Sequence, residues 1–273
     1  MLEKIAVFIF GSCLGSFLNV CIHRLPKDES IAKPRSFCPK CKTTVKWYDN
    51  IPLLSYIILQ ARCRSCHEKI PLRYPLVEFI TAVLALVLYL KFGLSFLFFK
   101  FIFFFALLIL VSFIDIDYHA IPVYLCVMGI CAGLAFTIWP TLKILKSGPP
   151  NLESLPLVRA FWGLVFGFGF SYLFKFFGDI FIYFYLKLRK KESIEGEKES
   201  LGLGDVDFMG MVGVFLGVKS VVLVFFLAPF FAVIYSIVAV IFKRSHLIPY
   251  LPYLSLATLT VFFWGNKILG FIL

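Results

Sequence analysis

Two aspartates, Asp115 and Asp205, each stand where a long apolar run meets a polar segment. The first lies in Phe113-Ile114-Asp115-Ile116-Asp117-Tyr118-His119-Ala120-Ile121-Pro122, and the second closes Leu201-Gly202-Leu203-Gly204-Asp205. A carboxylate at a membrane boundary is costly to keep there, so it is a functional candidate by default. Two carboxylates that meet can share one proton and activate a water, which is the chemistry of aspartic proteolysis. Gly202 and Gly204 suit that role, since glycine lets a backbone bend and lets another chain come close. Asp117 reads as an interfacial residue facing water, and Asp207 as a partner for a nearby Lys.

Four of the eight cysteines form two pairs, Cys38-x-x-Cys41 and Cys63-x-x-Cys66, with 21 residues between them. This is the spacing of a four-thiolate zinc site, in which each pair gives two ligands from one turn. Four thiolates leave no open position for water, so the expected role is structural. The loop is expected on the cytoplasmic side, from the charge argument below, and that reducing compartment disfavours a disulfide. His67, next to Cys66, reads as a solvated loop residue rather than a ligand. Cys13, Cys21, Cys126 and Cys131 lie within apolar runs and read as packing residues.

The elements that must position these groups are membrane helices. The chain is 60% apolar and 16% charged, against about 45–50% and 25% in soluble domains. Runs of about 20 apolar residues cross a bilayer, and eight are legible: roughly 4–22, 74–92, 94–114, 121–140, 159–186, 205–218, 220–242 and 250–272. The sixth is short and glycine-rich, so a tilted or broken span is expected there. The run from Ile5 to Ile22 reads as an uncleaved span followed at once by Arg24 and Lys27.

Charge sets the orientation. Segment 23–73 holds eleven Lys and Arg against four Asp and Glu. Segment 187–204 carries Lys187, Arg189, Lys190, Lys191 and Lys198, and 243–246 carries Lys243 and Arg244. With eight spans all three fall on one side, which the positive-inside bias makes cytoplasmic, and both chain ends face outward. Asp115 and Asp205 then share the cytoplasmic face. The net charge of +11 is thereby explained without nucleic acid, and no basic patch belongs to a soluble nucleic-acid-binding fold. Lys175 and Asp179, inside the long fifth run, read as charges held in a structural ion pair with a neighbour. Segment 187–200, rich in Lys and Glu, reads as a flexible loop. The 34 phenylalanines fill spans.

In order along the chain, these residues resemble the type IV prepilin peptidase family, the bifunctional leader peptidases and N-methyltransferases of pilus and type II secretion systems. The resemblance rests on Gly15-Ser16-Phe17-Leu18-Asn19-Val20 with Arg24-Leu25-Pro26, Pro34-Arg35-Ser36, Asp49-Asn50-Ile51-Pro52-Leu53-Leu54-Ser55-Tyr56 and Arg73-Tyr74-Pro75-Leu76-Val77-Glu78. It continues with a D-x6-P pattern at Asp115 and Pro122 and a GxGD pattern at Gly202 to Asp205. Two positions depart from the family pattern: Asp207, where Lys is frequent, and Val123, where Asp is frequent. The resemblance implies cleavage of a short basic leader after a glycine, at the cytoplasmic face, by Asp115 and Asp205. It also implies methylation of the new N-terminal amine by S-adenosylmethionine, an activity of members that carry the cysteine loop.

The expected protein is all-α: a polytopic membrane bundle of about eight transmembrane helices with a cytoplasmic zinc-knuckle loop. It divides into a first span at 1–22, a cysteine loop at 23–73 assigned to methylation, and a GxGD aspartyl peptidase bundle at 74–273. Its expected home is the bacterial inner membrane, and its expected partners are the lipid bilayer and prepilins or pseudopilins. An ion-coupled transporter or channel, or a non-catalytic assembly protein, is the alternative. The donor-binding residues, the substrate's identity and the oligomeric state are not legible.

Overall fold

The computed structural model describes residues 1–119, 122–147, 151–189, 200–241 and 249–272. The basic residues Lys190, Lys191, Lys198, Lys243 and Arg244, and most of the expected loop at 187–200, lie outside the described residues. Regular structure is helical: α1 Leu2–Arg24, α2 Leu54–Ile58, α3 Arg73–Phe92, α4 Phe96–Tyr118, α5 Val123–Lys146, α6 Pro156–Arg189, α7 Leu203–Leu216, α8 Val218–Ile241 and α9 Leu251–Ile272, with a few single 3-10 turns. Seven of these are long and apolar enough to cross a bilayer.

The eighth expected span is α7, and its 14 residues rise only about 21 Å, short of a hydrocarbon core of about 30 Å. Gly217, at φ +81°, stops it. From Asp205 to Phe215 nearly every residue of α7 is buried, so its apolar run reflects protein packing on all sides rather than lipid. Hydropathy alone does not separate those two environments.

The chain divides into two compact units, Met1–Ala120 and Ile121–Leu273. In the first, α1 packs mainly on α3, and α4 packs on both. The α1/α3 crossing is close because Gly11 and Gly15 stand one turn apart, the small-residue spacing that lets membrane helices approach. A Cβ on Gly15 would lie 2.6 Å from Glu78 Cα. The α4 side chains Phe98, Phe104, Phe105 and Ile114 form the buried centre. Helix α4 starts at Ser95, whose hydroxyl accepts from the Phe98 amide at 3.4 Å, after a break at Gly93 with φ +62°. The buried Thr81 hydroxyl satisfies itself on its own helix, donating to the Val77 carbonyl at 2.7 Å, because lipid offers no partner.

In the second unit α6 packs along α7, and α5, α8 and α9 complete the surround. Here two backbones nearly touch: a Cβ on Gly213 would fall 2.0 Å from the Gly163 carbonyl oxygen, and one on Gly163 equally close to the Gly213 oxygen. Gly213→Ala must push α6 from α7, and the expected result is a loss of about 2 kcal/mol or more. Gly169→Ala, on the same α6 with nothing among the described residues within 4 Å of the added carbon, is expected to be neutral or slightly stabilising. Reversible unfolding of both variants in mixed micelles checks this, and equal effects would refute the close crossing.

Cys21 and Cys126 are buried, as packing residues should be, whereas Cys13 and Cys131 are exposed on the outer faces of α1 and α5. In apolar spans every side is apolar, so the run does not say which residue points inward.

Candidate active site and metal centre

The two CxxC pairs fold as near copies. Phe37 bridges Thr44 in the first and Arg62 bridges Lys69 in the second. The Cys38 amide donates to Thr43 O at 3.0 Å, and the Cys63 amide to Glu68 O at 2.8 Å. Each second cysteine is followed by a residue in the left-handed region, Lys42 at φ +59° and His67 at φ +56°. That turn brings each pair's sulfurs to one point and turns the His67 side chain to solvent. Lys40 of one knuckle makes an ion pair with Glu68 of the other.

The four Sγ atoms all lie within 4.8 Å of one another. Cys38 and Cys66 sulfurs are 3.7 Å apart, and Cys41 and Cys63 sulfurs 4.0 Å. A zinc with bonds of about 2.3 Å to four tetrahedral sulfurs needs about 3.8 Å between them, whereas a disulfide needs about 2.05 Å. The donor set therefore fits zinc. The thiols are also unlike one another. Donation from the Thr43 hydroxyl and amide lowers Cys41 to about 6, and the Cys66 and Ser65 amides lower Cys63. Cys66 receives the Glu68 amide, yet burial and the neighbouring sulfurs push it up to about 11. Four thiolates this close repel unless a cation lies among them.

Asp205 is the third residue of α7 and is 7% exposed. Its Oδ2 accepts from the Gly202 amide at 3.1 Å, which closes the helix N-terminus, where negative charge is favoured by the helix dipole. Gly202 has an ordinary extended backbone, φ −68° and ψ 148°, and Gly204 lies within α7, so neither uses a conformation reserved for glycine. What Gly202 provides is space: a Cβ there would stand 3.3 Å from Asp205 Oδ2. Asp207 is half-buried and makes no ion pair among the described residues.

The approach to Asp205 is clamped from α6. Lys175 Nζ donates to the Leu201 carbonyl at 2.8 Å and pairs with Asp179 at 3.2 Å. Asp179 Oδ1 accepts from the Ser200 amide at 2.7 Å. A Cβ on Gly178 would strike Ser200 Oγ at 2.5 Å, so this turn of α6 accepts Ser200 only because it carries glycine. Lys175 and Asp179 pair with each other, and they also hold the segment that leads into the GxGD turn. A charged i,i+4 pair inside an apolar run was the available signal.

Asp115 lies in the last turn of α4 and is also 7% exposed. The His119 amide donates to its carbonyl at 2.9 Å, and His119, at φ +49°, ends the helix in the left-handed conformation usual for that position. Asp117 does not simply face water: it makes an ion pair with Arg73, the first residue of α3. Two residues on a helix differ by about 200° in direction, so Asp115 turns inward while Asp117 meets α3. The Tyr118 hydroxyl lies 3.4 Å from the His23 carbonyl, so this helix end is tied to both α1 and α3. Asp115 belongs to the first unit and Asp205 to the second.

Residues 9–92 match the Bacterial Peptidase A24 N-terminal domain, and residues 102–237 match the Type IV leader peptidase family. The prepilin leader peptidase/N-methyltransferase of Aeromonas salmonicida is 30% identical, over 96% of this chain and 91% of its own. The type 4 prepilin-like proteins leader peptide-processing enzyme of Escherichia coli O78:H11 is 34% identical, over 90% and 88%. The prepilin leader peptidase/N-methyltransferase of Myxococcus xanthus is 35% identical over 79% of this chain, which spans 56% of that protein's length. No solved structure matches.

Proposed function

This chain belongs to the type IV leader peptidase family of membrane enzymes, and we propose that it cuts the basic leader from type IV prepilins or pseudopilins and then N-methylates the new amino terminus. The observation that carries the first activity is the burial of Asp115 and Asp205, each at a helix end. In the proposed mechanism they hold one proton between them, since two adjacent carboxylates resist double ionisation. The ionised member takes a proton from a water, and the protonated member polarises the scissile carbonyl. Loop charge argues for the cytoplasmic face of a bacterial inner membrane. A transporter reading is weaker, because its carboxylates would step through the midplane whereas these two sit at helix ends. Co-expression with a prepilin, reading leader loss and N-terminal mass, tests both activities together. An uncut prepilin beside a folded enzyme would refute the proposal.

Zinc on Cys38, Cys41, Cys63 and Cys66 would hold the 23–73 loop, closing its two turns with no vacant coordination position. About one zinc per chain is expected by elemental analysis, and Cys63→Ser should lose most of it and loosen the loop to proteolysis. Bound zinc should also fall as pH falls, because protons compete for the thiolates. Metal-free protein at neutral pH would refute the site.

For the second activity S-adenosylmethionine supplies, when bound, a methyl group on a sulfonium. The chain must bind that polar cation where the newly released amine emerges, and we assign this task to the 23–73 loop.

A further inference from the structure

Below the knuckles the first unit holds a cavity of about 320 Å³, walled by the ends of α1 and α3 and by the loop. It is large enough for a small-molecule site, the usual range being about 300–1,000 Å³. Most of its wall is apolar, with Tyr56 and Tyr74 among the lining, and its buried polar members are Asn19, Arg24, Ser55 and Glu78. Arg24 already donates to the Ser30 and Pro34 carbonyls and Ser55 to the Tyr48 carbonyl, which leaves Asn19 and Glu78 to face a ligand.

Asn19 is 2% exposed. Its Nδ2 donates to the Tyr74 carbonyl at 2.9 Å. That carbonyl only accepts, so the amide cannot be turned around. The other atom, Oδ1, is buried with no partner among the described residues. A buried acceptor without a donor is costly and asks for an explanation. Glu78 offers a second acceptor, a carboxylate, 9% exposed. The carboxylate accepts from the Leu53 amide on Oε2 at 2.8 Å and from the Ser16 hydroxyl, and two of its four lone pairs stay open.

That amide belongs to a strained turn. Leu53 has φ +62° and ψ −49°, and the Leu54 amide reaches back to the Pro52 carbonyl at 2.7 Å. This is a three-residue turn with its central residue at positive φ, a rare conformation and costly for leucine. Strain of this kind persists where the surroundings impose it, and it collects at ligand clamps. Here Glu78 imposes it from α3.

Resting on the N-methylation reading above, we propose that this cavity is the binding site for the S-adenosyl methyl donor, with Glu78 and Asn19 as its polar floor. The chemistry matches on three counts. The acceptors left open to a ligand, Asn19 Oδ1 and the Glu78 carboxylate, select a molecule that brings N–H and O–H donors and positive charge, as an adenosyl sulfonium amino acid does, and the Arg24 guanidinium in the same wall suits its carboxylate. Tyrosine rings suit a flat purine and a cation. A free amino terminus would satisfy the two acceptors but would leave most of the volume empty.

The test uses the full chain in detergent with two probes. Titration calorimetry with S-adenosylhomocysteine reads binding without chemistry. Ultraviolet crosslinking of methyl-tritiated S-adenosylmethionine to the unmutated protein reads location. The expected label falls on peptides spanning 16–24, 50–56 or 70–78. Glu78→Gln should weaken S-adenosylhomocysteine roughly tenfold or more while keeping an acceptor for the Leu53 amide, and its melting temperature shows that it folds. Should that variant not fold, the labelled peptide decides alone. Label confined to residues 121–273, or unchanged affinity in Glu78→Gln, overturns the cavity and leaves methylation standing. No binding by the unmutated protein, together with an unmethylated product, overturns the methylation reading itself.

Discussion

Asparagine in place of Asp115 or Asp205 is expected to lower leader removal by roughly three orders of magnitude or more, with the protein still folded. The shared-proton mechanism needs a group that ionises at each position, and the amide keeps the size but cannot ionise. At position 205 the fold should tolerate the change, because an Asn Oδ1 can still accept from the Gly202 amide that Asp205 Oδ2 now holds at 3.1 Å. Asp117→Asn is the internal control. It removes one charge of the partly exposed pair with Arg73, worth about 1 kcal/mol or less, and should leave most cleavage intact. Leader loss from a co-expressed prepilin, read by mass spectrometry, compares all three. Near-normal cleavage by Asp115→Asn or Asp205→Asn would remove that residue from the dyad. A loss in Asp117→Asn as deep as in Asp115→Asn would mean that the wrong carboxylate of this turn was chosen.

The positions of the long helices were legible because lipid and protein core both demand apolar side chains, and runs of that length have few other uses. The same fact hid what those helices meet. With apolar residues on every side there is no amphipathic stripe to mark the buried face, so α7 read as a span and Cys13 and Cys131 read as packing. The knuckles were legible because ligand spacing is local. The clamp on the GxGD turn was not, since Lys175 and Leu201 stand 26 positions apart and only the packing of α6 on α7 joins them. Asp117 and Arg73 are a similar case. Asn19 and Glu78 stood in recognisable motifs, yet nothing local tells a buried amide with an orphaned oxygen from one that is fully paired. That distinction needs coordinates, because it depends on what does not reach the atom.

Cleavage and methylation should come apart when the cysteine loop is removed. The aspartates stand in α4 and α7, outside segment 23–73, whereas one wall of the cavity above Asn19 and Glu78 is built from that segment. Deleting about residues 36–68 and splicing with a short linker takes away both knuckles, the Leu53 turn and Tyr56. It spares Ser30 and Pro34, whose carbonyls accept from Arg24 at 2.8 and 2.6 Å and turn the chain away from α1. It also spares the Arg73–Asp117 pair that ties α3 to α4. The expected product is a pilin that has lost its leader and lacks the methyl group, a difference of one methyl mass at the amino terminus. Full methylation by the deleted protein would place the donor elsewhere and sink the assignment of this loop. Loss of cleavage as well, in a protein that still folds, would mean that the loop props the peptidase. The argument for separation is geometric. The donor is charged and water-borne, so its site must open to the aqueous side, while the proposed catalytic carboxylates are carried by α4 and α7, outside the loop.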